Sequence, residues 1–183
     1  DGGYIIGGFS FSGANGDKSQ GSRGASDYWI VKTDGVGVKQ WDKRFGGASS
    51  DSMKSIIQCP EGGYILAGVS LSDAGGDRSD STRGGTDYWA VRLDAAGSKM
   101  WDAAMGGALN DELLVAQPLL GWGGFCLAGS SLSNTGGNKS ENSRGGSLDY
   151  WIVAIADLDA VVPKEWDRRF GGNTLTPGLG HGN

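Results

Sequence analysis

Bulky and polar positions alternate along this chain with a period near two, and no segment carries the 3.6-residue period of an amphipathic helix. "DYWIVKTD" at 27–34 mixes aromatic and β-branched residues with polar ones, the composition of a strand on a pleated surface. "TDGVGVKQW" at 33–41 joins two such runs through Asp-Gly and Gly, a hairpin signature. "LDAAGSKMW" at 93–101 repeats it, and "ADLDAVVPKEW" at 156–166 is a longer version without the glycine. The pattern predicts four strands per unit, given for the middle unit as 51–58, 62–70, 87–94 and 98–105.

The unit recurs. "GGYIIGGFSFS" at 2–12 returns as "GGYILAGVSLS" at 62–72 and "GGFCLAGSSLS" at 123–133. "SRGASDYWIVK" at 22–32, "TRGGTDYWAVR" at 82–92 and "SRGGSLDYWIVA" at 143–154 form a second set. "VKQWDKRFGG", "SKMWDAAMGG" and "PKEWDRRFGG", ending at 47, 107 and 172, form a third. The step is about 60 residues, so the chain reads as tandem units near 1–50, 51–110 and 111–172, with 173–183 an irregular tail or the start of another unit. The first unit begins at its second strand, and "NTLTPGLGHGN" after Gly172 carries no alternation where a first strand is expected.

Four antiparallel strands repeated in tandem predict an all-β fold built of β-propeller blades, about three of them. A unit this small cannot bury both faces of its own sheet and must stack on its neighbours. Six tryptophans, Trp29, Trp41, Trp89, Trp101, Trp151 and Trp166, hold fixed places in the repeat. Each fully buried one removes roughly 150–250 Å² from water, worth several kcal/mol gross. They are expected to pack between blades, and Trp122, outside the pattern, to be the exposed aromatic. Closed propellers need about four or more blades, so this one is a partial propeller whose remaining blades belong to a longer chain, or an oligomer completes the ring. The first is favoured.

Composition narrows the role. The 183 residues carry 35 glycines, mostly as doublets at segment ends, as an all-β protein with many tight turns requires. Net charge is −5 with Lys and Arg scattered singly, which argues against a nucleic-acid partner. No apolar run reaches about 18 residues, so no membrane span is expected. Cys126 takes the position of Ile5 and Ile65 and reads as a small buried apolar residue; a bond to Cys59 is left open. One histidine, His181, excludes a Cys/His metal cluster. The chain opens at Asp1-Gly2 without Met or leader, so it reads as a mature or excised piece.

The Asp-Gly-Gly-Tyr-Ile string, the Asp-Tyr-Trp strand and Lys-Gln-Trp-Asp-Lys followed by Phe-Gly-Gly resemble the tandem repeats of large secreted surface proteins of Bacteroidetes-type bacteria. The resemblance covers all but the last dozen residues. It implies an extracellular or cell-surface β-propeller, exported by type IX secretion, although the C-terminal sorting domain of that route is not among these residues.

Function is expected in the long polar loop of each unit, at 13–26, 73–86 and 134–148, because loops beyond about 12 residues are often functional. Gly16-Asp17-Lys18-Ser19 matches Gly76-Asp77-Arg78-Ser79 and Gly137-Asn138-Lys139-Ser140, while Arg23, Arg83 and Arg144 precede Asp27, Asp87 and Asp149. One reading is structural, with Arg and Asp pairing across the loop neck and Tyr-Trp packing on the next blade. A second is a Ca²⁺ site of hard oxygen ligands at Asp73, Asp77 and Ser79. Gly13 and Asn138 break that set in the other units, and no other cofactor is expected. The third is binding by the rim of a glycan or surface protein, through Asp17, Lys18, Arg23, Asp77, Arg78, Arg83, Asn138, Lys139, Arg144 and Trp122, with multivalency compensating weak sites. Catalytic strings are absent, and carboxylates such as Asp94 and Asp102 are repeated hairpin positions rather than a glycosidase pair. The expectation is a non-catalytic extracellular module for adhesion, scaffolding or carbohydrate binding. The alternative is an accessory propeller of a polysaccharide-degrading enzyme.

Overall fold

A computed structural model describes residues 2–119, 123–145, 147–156 and 164–172. Every regular element among them is a strand: β1 (Tyr4–Ser10), β2 (Asp27–Thr33), β3 (Lys39–Phe45), β4 (Asp51–Gln58), β5 (Tyr64–Ser70), β6 (Asp87–Leu93), β7 (Lys99–Met105), β8 (Asp111–Leu119), β9 (Gly124–Ser131), β10 (Asp149–Ala156) and β11 (Lys164–Phe170). They form three antiparallel meanders, β1-β2-β3, β4-β5-β6-β7 and β8-β9-β10-β11. The hairpins at 33–41 and 93–101 close as predicted; the turn of the third, at 157–163, lies outside the described residues. Gly37 and Gly97 take positive φ of 87° and 79°, which lets Val38 and Ser98 pair back to Asp34 and Asp94. The first sheet has three strands because β1 is the counterpart of β5 and β9, and nothing among the described residues fills the place of β4 or β8 beside it.

The three sheets stack. Alternation along β6 sends Trp89, Val91 and Leu93 to the first sheet, where they meet Tyr28, Ile30 and Phe45. Tyr88 and Ala90 point the other way, to Leu127, Trp151 and Val153 of the third sheet. All seven β6 residues are buried. A period of two therefore corrects the expectation that Tyr and Trp both pack on the next unit. They are adjacent in the strand and must face opposite sheets. Tyr28 packs forward on Trp89 with ring centroids 4.7 Å apart and donates its hydroxyl to the Trp89 carbonyl at 3.0 Å. Tyr88 does the same to Trp151, at 4.9 Å and 3.1 Å.

Each hydroxyl enters a notch made by a missing side chain. A Cβ on Gly68 would lie 2.7 Å from the Tyr28 hydroxyl and 2.2 Å from the Ser52 carbonyl oxygen; one on Gly129 would meet the Tyr88 hydroxyl at 2.7 Å. The glycines are required by the neighbour's tyrosine as well as by their own strand.

The two ends of the stack show what the interfaces hide. Tyr150 and Phe170 on the third sheet are 66% and 54% exposed, where their counterparts Tyr28 and Phe45 are 0% and 6%. On the first sheet Tyr4 and Ile6 are 59% and 58% exposed, where Tyr64 and Leu66 are 5% and 0%. Position in the stack also sorts the tryptophans: Trp89, Trp101 and Trp151 are buried, Trp29 and Trp41 half-buried and Trp166 exposed. Cys126 is half-buried rather than buried because it lies on that open face, and no disulfide joins it to Cys59. Trp122, His181 and the 173–183 tail lie outside the described residues.

Candidate functional site

The long loops are fixed by carboxylates of their own sheets. In the repeated Trp-Asp pair of the last strand, Asp42, Asp102 and Asp167 accept the amide N–H of Ser19, Ser79 and Ser140 at 2.8, 2.9 and 3.0 Å. The same carboxylates accept the indole N–H of Trp29, Trp89 and Trp151 at 3.1, 3.0 and 3.1 Å. Lys39, Lys99 and Lys164 then clip the loop, donating both to these aspartates and to the backbone carbonyls of Asp17, Asp77 and Asn138. Burial works against each carboxylate, but the gathered donors outweigh it, holding Asp42 and Asp167 down at about 2 and Asp102 below its ordinary value.

At the loop neck, Asp27, Asp87 and Asp149 accept the backbone N–H of Arg23, Arg83 and Arg144 at 2.5, 2.8 and 2.8 Å. The predicted pairing thus forms through the main chain, and it leaves the guanidinium groups to act elsewhere. Arg23 reaches across to the second sheet's loop and pairs with Asp77 at 2.8 Å; Arg44 approaches the same carboxylate at 3.5 Å. Asp77 also exchanges backbone-directed bonds with Gly46, donating its N–H at 3.0 Å and accepting at 3.1 Å. Asn138 makes that exchange with Gly106 at 3.1 and 3.3 Å. The loss of charge at Asn138 is matched by Ala104 in the place of Arg44, and Arg83 donates to the Ala104 carbonyl at 3.0 Å instead. Arg144, on the last sheet, lies 3.8 Å from Glu141 of its own loop and is otherwise exposed.

Three predicted rim cations are inside. Lys18, Arg78 and Lys139 are 4–5% exposed. Arg78 lies 5.1 Å from the Trp89 ring centroid and Lys139 3.6 Å from that of Trp151, where the ring quadrupole attracts them. Lys139 is also 3.6 Å from Asp111; burial lowers its pKa to about 8 against that opposing charge. Lys18 donates to the Ser12 carbonyl and the Ser22 hydroxyl, both at 2.9 Å. Arg78 and Lys139 hold their loops over a tryptophan, and Lys18 ties its loop together through Ser12 and Ser22.

Asp17, Arg23, Arg83 and Arg144 remain exposed, as does Asp73. Arg23 and Asp73 line a cleft of about 370 Å³ with Gly47, Ala48, Ala74, Gly75 and Gly76, between the loops of the first and second sheets. Of the residues read as Ca²⁺ ligands, Asp73 sits in this cleft, Asp77 is paired with Arg23, and the Ser79 hydroxyl donates to Asp102 at 2.6 Å. Among the described residues no group of three or more His, Cys, Asp or Glu is arranged to hold a metal ion. Among them, too, no helix is long and apolar enough to cross a membrane.

Sequence reasoning missed the aspartates of the Trp-Asp pairs, which it took for ordinary hairpin positions. Their signal was present, since Trp-Asp recurs unchanged three times. Compared with known proteins, the chain matches no family model and no curated protein.

Proposed function

We propose that the three stacked sheets are blades of an extracellular, non-catalytic β-propeller array whose loop rim binds a glycan or a surface protein. Four-stranded antiparallel meanders laid face to face are the unit of that architecture. The observation that carries the binding reading is the rigid rim. Three long loops of similar sequence are clamped by the Trp-Asp carboxylates and present Asp17, Arg23, Asp73, Arg83 and Arg144 to solvent, with Arg23 and Asp73 lining a small cleft.

Loops already ordered lose little entropy on binding, and repeated shallow sites gain by avidity. A cleft with one carboxylate, one guanidinium and small apolar floor residues suits sugar hydroxyls, with Asp73 accepting and Arg23 donating. The test is a glycan array paired with a pull-down of surface proteins, run with the wild-type chain and with Asp73→Ala, in calcium and again in chelator. Binding that falls at least tenfold in Asp73→Ala supports the reading, and sensitivity to chelator would assign a cation to Asp73. Silence in both formats, or binding indifferent to Asp73, sinks it.

A further inference from the structure

Between the second and third sheets lies a buried ion pair that no hydrogen bond completes. Lys139 Nζ stands 3.6 Å from Asp111 Oδ1, beyond hydrogen-bond range, and both side chains are fully enclosed. Neither atom has a hydrogen-bond partner, and neither has Asp87 Oδ1 beside them. The two carboxylates converge on Gly106: a Cβ there would lie 2.1 Å from Asp87 Oδ1 and 2.9 Å from Asp111 Oδ2. The Trp151 ring, 3.6 Å from the amine, closes another side. Enclosed charges without hydrogen bonds are costly to keep, and the cost is relieved when both groups become neutral.

The equivalent step between the first and second sheets is built differently. There Arg78 lies over Trp89 and faces Asp51, and the Ser70 hydroxyl caps Asp51 Oδ1. A guanidinium stays charged and is no nucleophile. In the third sheet an amine stands in its place, and the aspartate oxygen facing it has lost its cap. Asp111 Oδ2 keeps both of its donors, the Gly107 N–H at 2.8 Å and the Ser133 hydroxyl at 2.9 Å. Burial draws Lys139 down to about 8 and raises Asp87 to about 6, each toward its neutral form.

We propose that Lys139 and Asp111 join as an intramolecular amide, with Asp87 carrying the proton. Lys139 first yields a proton to the Asp111 carboxylate, leaving an amine and a carboxylic acid. The amine attacks Asp111 Cγ and the C–N bond forms, while the Gly107 N–H and the Ser133 hydroxyl hold the charge that develops on Oδ2. The Cγ–Oδ1 bond then breaks. Asp87 gives a proton to the departing oxygen, takes one from the nitrogen and ends as it began, so one water leaves for each amide made. The bond ties the loop at 134–148 to β8, and it is independent of what the rim binds.

The test is the intact mass of the purified, folded chain, with peptide mapping of the join. Wild type is expected about 18 Da below the mass of its sequence, the weight of one water, with the peptides holding Lys139 and Asp111 recovered as one. Lys139→Arg copies what the chain itself places at Arg78, so it keeps the fold, and it is expected at full mass. Asp87→Asn, checked by circular dichroism and melting, is expected to hold at least tenfold less linked chain. Folded wild type at full mass overturns the proposal. So does a deficit that persists in Lys139→Arg, which would belong to some other loss of water. Complete linkage in folded Asp87→Asn removes Asp87 from the proton's path.

Discussion

Asp87 is the residue whose environment most opposes its charge. It is fully buried, and its Oδ2 accepts the Arg83 N–H while Oδ1 has no hydrogen-bond partner. Burial, aided by the neighbouring Asp111, raises its pKa to about 6 against the Arg83 N–H. The first and third sheets put Arg44 and Arg169 where the second has Ala104, and Arg169 Nε donates to Asp149 at 2.6 Å. The folded protein therefore binds a proton at Asp87 that the unfolded chain releases between about pH 4 and pH 6. Stability falls as pH rises through that window, by roughly 3 kcal/mol for a shift of about two units. Asp42 and Asp167, held near 2, act oppositely; their contribution is lost as pH drops below about 4. Urea unfolding is expected to show greatest stability near pH 4–5, and Asp87→Asn is expected to shrink the decline toward neutral pH, to which buried Asp27 also contributes through its raised pKa, while leaving the acid limb. An unchanged profile in that variant contradicts the assignment.

The element that deserves its own test is the clamped loop, because its order underlies the rigid rim. Asp102→Ala strips an acceptor from the Trp89 indole, the Ser79 amide and Lys99 at once. Hydrogen bonds to charged groups are worth about 1.5–3 kcal/mol each, and a buried donor left alone costs its desolvation. A loss of about 3 kcal/mol is expected, with faster amide exchange at Ser79; exchange unchanged from wild type would mean the loop is ordered by something else.

Strands were legible at this scale because alternation and turn glycines are local. The reading placed 51–58, 62–70, 87–94 and 98–105, against β4 to β7 over Asp51–Gln58, Tyr64–Ser70, Asp87–Leu93 and Lys99–Met105. What the sequence hid was direction. Spacing brings Arg and Asp together at the loop neck, but it does not tell a backbone N–H from a guanidinium. Lys18, Arg78 and Lys139 looked like rim cations, since a charged residue in a polar loop normally faces water. The tryptophan beneath Arg78 and Lys139, and the Ser12 carbonyl and Ser22 hydroxyl around Lys18, hold them inside.

At the scale of the molecule, three sheets share one rule of assembly: tyrosine forward, tryptophan back, glycine between. The repeat made stacking readable, but the pairing of Tyr28 with Gly68 and Trp89 joins neighbouring sheets far apart in the chain and appears only once the sheets are superposed in register. The rule makes equivalent glycines behave differently according to place. Gly68→Val must push a side chain into the Ser52 carbonyl and the Tyr28 hydroxyl, and overpacking against backbone costs about 3 kcal/mol or more. Gly8→Val meets open space and gains the strand preference of a β-branched residue, worth up to about 1 kcal/mol. The most direct test is urea unfolding of these two variants beside wild type, at concentrations too dilute for chains to associate. The account predicts that Gly68→Val loses about 3 kcal/mol or more while Gly8→Val unfolds at or above the wild-type midpoint. Equal losses at the two glycines would contradict it.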